Sequence, residues 1–267
     1  HVRSRRQRQM CIRDRCCLLQ PSTAQKPVTK PKEVTVKAMT YNTYSGRKQG
    51  IDKIAEVIKK ENPDIVSLQE IERNTEINPW DTPKKLSELT GMKYYYFAHA
   101  LDIPTGGDYG NVILSKYPVS EEKSFKLSVL KEGDYVRSFG YVKVVKEGKE
   151  FYFATTHLDH KYEDAARLKQ VDEILACVEH LDKPVILGGD LNSRRGSATM
   201  AAFQKYFTVN CLSDGAPWTV PVPSPAYACD WLIYAPNEAF TVKAYNVCYW
   251  ADKESDHYPV VATYLIK

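Results

Sequence analysis

From Val34 the chain alternates apolar and polar positions in VTVKAMTYN, and this predicts a strand. GIDKIAEVIKKENPD then brings Ile51, Ile54, Ala55 and Ile58 onto one helical face and stops at Asn62-Pro63. DIVSLQE follows as a short, nearly continuous apolar run, the pattern of a strand covered on both faces, and it ends on a carboxylate, Glu70. The middle is strand-rich: YYYFAHA, GNVILSKYP, then YVRSFGYVKVV and EFYFATTHLD, whose turn Lys146-Glu147-Gly148-Lys149 predicts an antiparallel hairpin. Helical periodicity returns in DAARLKQVDEILACVEHL, ends at Asp182-Lys183-Pro184 and delivers the chain into PVILGGDLN, a second buried strand that finishes at Asp190. A Pro-rich loop, DGAPWTVPVPSPAYA, precedes the last strand-like runs CDWLIYAP, FTVKAYNVCYW and HYPVVATYLIK.

PDIVSLQE and KPVILGGDLN are therefore two versions of one device: a helix, a Pro, a buried strand and an acid at its carboxyl end. Ligands of α/β proteins gather beyond the carboxyl ends of strands, so Glu70 and Asp190 are candidates for one site. Short polar segments recur where apolar strands end: TYN at 40–42, LQE at 68–70, THLDH at 156–160, GGDLN at 188–192, CDW at 229–231 and SDH at 255–257. One polar strand end is ordinary. Six that mix Asn, Glu, Asp and His, with no activated nucleophile among them, describe an assembled site.

The chain has 267 residues, 43% hydrophobic and 26% charged, which fits one large α/β domain or two small ones and excludes disordered, collagen-like and coiled-coil classes. Its formal net charge of +4 invites a nucleic-acid reading. Six Arg, at positions 3, 5, 6, 8, 13 and 15, with only Asp14 against them, stand in the first 17 residues, and 31 basic against 32 acidic residues remain over 18–267. The body is electrically neutral. QRQMCIRDR resembles translated adapter sequence, and CCLLQPSTAQKP resembles the tail of a signal peptide with a small-x-small pattern at Ser22-Thr23-Ala24. Residues 1–25 are thus expected to be a non-native or signal-like leader without fixed structure, residues 26–267 a single domain, and export is favoured over the cytoplasm. No stretch of the body approaches the roughly 20 apolar residues of a membrane span, so membrane insertion is not expected and the protein is read as a monomer. Cys177, Cys211, Cys229 and Cys248 form no C-x-x-C and read as small buried hydrophobes, with a disulfide open if the protein is exported.

Taken in order, LQE, GD-x-N and a terminal SDH before a hydrophobic strand resemble the endonuclease/exonuclease/phosphatase superfamily, as does the strand motif YGNVILSKYP at 109–118. The resemblance spans about Val34 to Lys267. It implies a DNase I-like α/β fold, a four-layer α-β-β-α sandwich of two mixed sheets flanked by helices, and a metal-dependent phosphohydrolase acting by in-line attack of an activated water. Hard cations on oxygen ligands suit that chemistry, which must neutralise phosphoryl charge and stabilise a leaving oxygen. By the resemblance Glu70, Asn42 and Asp256 hold Mg²⁺, with Mn²⁺ as a substitute. Asp190 orients or deprotonates the water, Asn192 donates to the phosphate, His257 and His157 face the phosphoryl oxygens, and Asp230 fixes the tautomer of His257. His257 and Asp190 remain alternative bases. Tyr109, Asn111, His160 and Trp218 are the expected substrate contacts. His99 and His180 read as surface histidines, and Arg167 either pairs with an acid near the site or covers a helix face.

The basic residue common two positions before the equivalent of Asp230 is here Ala228, so a cationic contact is missing. A neutral body gives no bulk electrostatic case for tracking a duplex. The expected substrate is therefore a phosphate ester, a small phosphodiester or lipid headgroup ahead of nucleic acid. The alternatives are a secreted nonspecific nuclease and a non-catalytic phosphate-binding module.

Overall fold

In the computed structural model, residues 33–209 and 217–267 are described; the expected leader and Cys211 lie outside them. The first strand, β1 (Val34–Asn42), leads through α1 (Ile51–Glu61) to a parallel neighbour, β2 (Ile65–Arg73). Helix α2 (Thr82–Thr90) follows, then β3 (Tyr94–Asp102), β4 (Asp108–Ser115), β5 (Val119–Leu127), β6 (Arg137–Lys146) and β7 (Lys149–His157). Helix α3 (Ala165–Val178) carries the chain to β8 (Val185–Asp190), parallel to β7, and α4 (Ala198–Phe203), β9 (Asp230–Ala235), β10 (Phe240–Val247) and β11 (Val260–Ile266) complete the order.

The strands form a six-stranded sheet in the order β10-β11-β1-β2-β4-β3 and a five-stranded sheet in the order β5-β6-β7-β8-β9. Three apolar layers hold four layers of structure together. Val36, Ile113, Phe153, Ile186 and Tyr264 pack between the sheets; Ile54, Ile58 and Leu86 of α1 and α2 cover the first sheet; Val171, Ile174 and Phe203 of α3 and α4 cover the second. This is the α-β-β-α sandwich that the family resemblance implies, and in it both buried parallel strands have helices on one face and a second sheet on the other. Among the described residues no helix is long and apolar enough to cross a membrane. Cys177, Cys229 and Cys248 are free thiols, with Cys229 and Cys248 buried as small hydrophobes.

The expected hairpin forms with a two-residue loop, Lys146 pairing with Lys149, and both loop residues adopt left-handed backbone (Glu147 φ 49°, Gly148 φ 80°) that matches the twist of the strands. One boundary differs. Strand β2 does not end at Glu70 but continues to Arg73 across a register shift between Leu68 and Ile71, with Glu70 itself at φ 58°. An extra residue is absorbed there as a bulge, which turns the side chain out of the alternation.

The layer between the sheets changes character toward one edge. Ser67 Oγ and Thr155 Oγ1, on facing sheets, lie 2.7 Å apart, and Ser67 also reaches the Gly188 carbonyl at 2.9 Å. Gln69 Nε2 donates to Ser67 Oγ at 2.6 Å, and Thr40 Oγ1 donates to Gln69 Oε1 at 3.3 Å. These buried polar groups satisfy one another, as burial requires. They form the floor of the cleft described next.

Candidate active site

Each parallel pair delivers two side chains to the same edge. Asn42 ends β1 and Glu70 sits at the β2 bulge; His157 ends β7 and Asp190 ends β8, directly opposite it in the register. The sheets are close enough for one amide to join them: Asn42 Nδ2 donates to Glu70 Oε1 at 3.1 Å and to Asp190 Oδ2 at 3.0 Å. Asn42 Oδ1 meanwhile accepts from the Tyr44 backbone N–H at 3.1 Å. In this arrangement Asn42 ties the two carboxylates together through its amide nitrogen.

Asp190 is buried and receives the backbone N–H of Asn192 on Oδ1 at 2.9 Å, while His157 Nε2 stands 3.3 Å from Oδ2. His257 Nδ1 meets Asp230 Oδ2 at 2.8 Å, and its Nε2 lies 3.8 Å from Asp190 Oδ2. Asp230 faces Asp190 across the β8–β9 register, and its second oxygen, Oδ1, is buried without a partner. Burial, and then the charge of Asp230, push the Asp190 carboxyl up to about 6. Burial pulls His257 down, but Asp230, Asp190 and the hydrogen bond to Asp230 together outweigh it and push the imidazole up to about 10. His157 moves the other way: burial and then the nearby Arg137 cation hold it well below the usual histidine range.

Arg137, the first residue of β6, went unread in the sequence. It is buried, and its Nη1 donates to Tyr109 Oη and to His157 Nδ1, both at 3.1 Å; Nη2 donates to His160 Nδ1 at 3.3 Å, and Nε has no partner. A guanidinium only donates, so His157 must accept at Nδ1 and carry its proton on Nε2, toward Asp190. The signal was an Arg inside the apolar run YVRSFGYVKVV. It restores a cation to a site whose loop before Asp230 lacks one.

A cleft of about 360 Å³ opens over these groups, lined by Glu70, Tyr109, Arg137, His157, His160, Asp190, Asn192 and His257 together with Ser45, Arg47, Glu72 and Tyr135. Asn192, like Glu70, adopts left-handed backbone (φ 46°), and its Nδ2 is held by the Leu158 carbonyl at 3.0 Å. Non-glycine residues in this region cost free energy and cluster where function fixes a side chain. Five expected residues are not among those lining the cleft, and two of them, Asn42 and Asp230, bond to Asp190 and His257, which do line it. Asp256 takes a hydrogen bond from Ser255 Oγ at 3.3 Å, Asn111 donates to the Ser138 carbonyl beneath the site, and Trp218 is 45% exposed. Arg167 is a brace: it binds Asp164 and the carbonyls of Asp159, Lys161 and Tyr162, pinning the loop between β7 and α3.

The atoms available to an ion are carboxylate oxygens and one imidazole nitrogen. Glu70 has no cationic partner among the described residues, and Asp190, Asp230 and His257 offer ligand atoms within 4.8 Å of one another. That excess of acid over base suits a hard divalent cation.

Residues 39–257 match the Endonuclease/Exonuclease/phosphatase family. The chain belongs to this family. Members of the family are phosphoric ester hydrolases that generally depend on a divalent metal. The chain is similar to the uncharacterized protein YbhP of Escherichia coli, 25% identical over 252 residues that cover 86% of this chain and 96% of that protein. It is also similar to a phospholipase C of Staphylococcus aureus, 24% identical over 217 residues, 69% of this chain and 65% of that one. Among solved structures, an endonuclease/exonuclease/phosphatase from Beutenbergia cavernae superposes with a TM-score of 0.76 at 23% identity, over 87% of this chain and 72% of that one, and shares the fold.

Proposed function

We propose that this chain is a divalent-cation-dependent phosphodiesterase acting on a small phosphodiester or a lipid headgroup. The observation that carries the reading is the convergence of Asn42 and His157 on Asp190 Oδ2, with His257 held by Asp230 over the same carboxylate. Asp190 is thereby fixed as an acceptor facing the cleft, placed to take a proton from the attacking water. His257 has its Nδ1 occupied, so its Nε2 is the atom free to donate to a phosphoryl oxygen. The two pKa directions agree with that division: a carboxyl raised toward neutrality is a better base, and an imidazole kept charged is a better donor. Arg137 adds a buried positive charge beside the phosphate position, and Asn192 lines the same wall. Glu70 would hold a divalent cation, which would further neutralise the phosphoryl and leaving oxygens. The neutral body and the similarity to a phospholipase C support a headgroup ahead of nucleic acid.

Purified protein tested on bis(4-nitrophenyl) phosphate, 4-nitrophenyl phosphate, sphingomyelin vesicles and supercoiled plasmid, each with Mg²⁺, Mn²⁺ or EDTA, checks this reading. Diester and headgroup hydrolysis that EDTA abolishes is expected. Plasmid nicking ahead of both makes the protein a nuclease, turnover that survives EDTA removes the metal, and silence across the panel makes it a phosphate-binding module.

A further inference from the structure

Tyr109, His157 and His160 share a property that a phosphate site has to resolve: a phenol and a neutral imidazole each both donate and accept. A phosphoryl oxygen only accepts. A wall that binds it must therefore turn its hydrogens outward, and a group behind the wall must occupy the acceptor atoms. Arg137, 5% exposed, stands in that place: Nη1 donates to Tyr109 Oη and His157 Nδ1 at 3.1 Å each, and Nη2 to His160 Nδ1 at 3.3 Å. A guanidinium never accepts, so each of these bonds has one direction. The Tyr109 hydroxyl keeps its own hydrogen for another partner, and both imidazoles carry their protons on Nε2. His157 turns that proton to Asp190, 3.3 Å away. The O–H of Tyr109 and the Nε2–H of His160 remain on residues that line the cleft.

The guanidinium itself is poorly placed to grip a phosphate. Arginine holds that group best through two parallel N–H bonds from one edge of its fork. The edge between Nη1 and Nη2 has given Nη1 to two side chains, and the other edge ends at Nε, which is buried without a partner. Tyr135 stacks against the guanidinium as well, with its ring centre 4.9 Å from the central carbon. A lysine supplies the same charge without the planar fork that reaches all these partners at once. Resting on the phosphodiesterase reading, we propose that Arg137 is a positioning residue that fixes the cleft wall as a row of hydrogen-bond donors, acting through Tyr109, His157 and His160 and not by its own contact with substrate.

NMR of the imidazole nitrogens reads the proposal without turnover. In the wild-type protein at neutral pH, His157 and His160 should both show a bare Nδ1 and a protonated Nε2; a proton on Nδ1 of either ring overturns the assignment. In Arg137→Met a mixture of tautomers should appear at His160, whose one hydrogen-bond partner among the described residues is the guanidinium, and an unchanged ring there overturns it too. Turnover of bis(4-nitrophenyl) phosphate with Mg²⁺ separates position from charge. Arg137→Met should lower kcat about a hundredfold, on the scale of lost donors to a developing charge, and Arg137→Lys should lower it about as much. In a His157→Gln background the further loss from Arg137→Met should shrink to about tenfold or less, because two residues that act as a unit are not additive. Recovery of most of the rate by lysine, or the full loss in both backgrounds, would show the charge acting directly on the phosphate and overturn the proposal. Should Arg137→Met not fold, the wild-type ring signature and the lysine variant still decide. Failure to hydrolyse any diester while the ring signature holds would reject the phosphodiesterase reading and leave the donor wall in place.

Discussion

Replacing Asp190 by Asn keeps the side chain's size but removes the acceptor on which Asn42 and His157 converge, and it leaves His257 with Asp230 as its close counter-charge. We expect Asp190→Asn, and separately His257→Gln, to lower kcat by about two orders of magnitude or more, the scale of a lost general acid or base. Circular dichroism should be unchanged; an undiminished rate in either variant would reject its assigned role. At this scale the sequence was informative where polar residues break an apolar run at its end, as Glu70, Asp190, Asn192, Asp230 and His257 do. Arg137 was not legible because its burial depends on Tyr109, His157 and His160, which come from two other stretches of chain. Asp256 and Trp218 lie in legible polar and loop segments but are not among the residues that line the cleft.

Elements with a strong period were readable from one end to the other. Helix α1, strand β8 and the β6–β7 hairpin fall where the pattern of apolar positions puts them. Helices α2 and α4 were not, since nine and six residues give too few turns for a period to emerge. Helix α2 depends instead on its start signal, Asp81, whose carboxylate accepts the Lys84 N–H at 3.2 Å, with Pro83 in the first turn. Asp81→Ala should cost about 1 kcal/mol of unfolding free energy in urea, the usual worth of such a cap; no change would mean that Leu86 packing alone holds the helix. The bulge in β2 left no sequence trace, because Gln69-Glu70 contains no glycine to announce left-handed backbone.

Across the whole molecule, each sheet contributes one parallel pair, β1–β2 and β7–β8, and the two pairs meet through the polar seam of Ser67, Thr155 and Gly188. At Gly188 the two sheets approach closely along that seam. A Cβ there would lie 2.9 Å from Ser67 Cβ and 3.1 Å from Leu232 Cδ2. Gly188→Ala should therefore destabilise the fold by about 1–3 kcal/mol, in the range of overpacked cores, and lower the melting temperature; a wild-type Tm would show that the sheets can part at no cost.

The hydrogen bond between Asn42 and Asp190 joins residues 148 positions apart on different sheets. The bond exists only where the two sheets pack face to face, so neither sheet alone holds the cleft. Chemical competence thus depends on the docking of the two sheets as well as on the strands within each. A condition that loosens the face-to-face packing should extinguish activity while the strands of each sheet still hold.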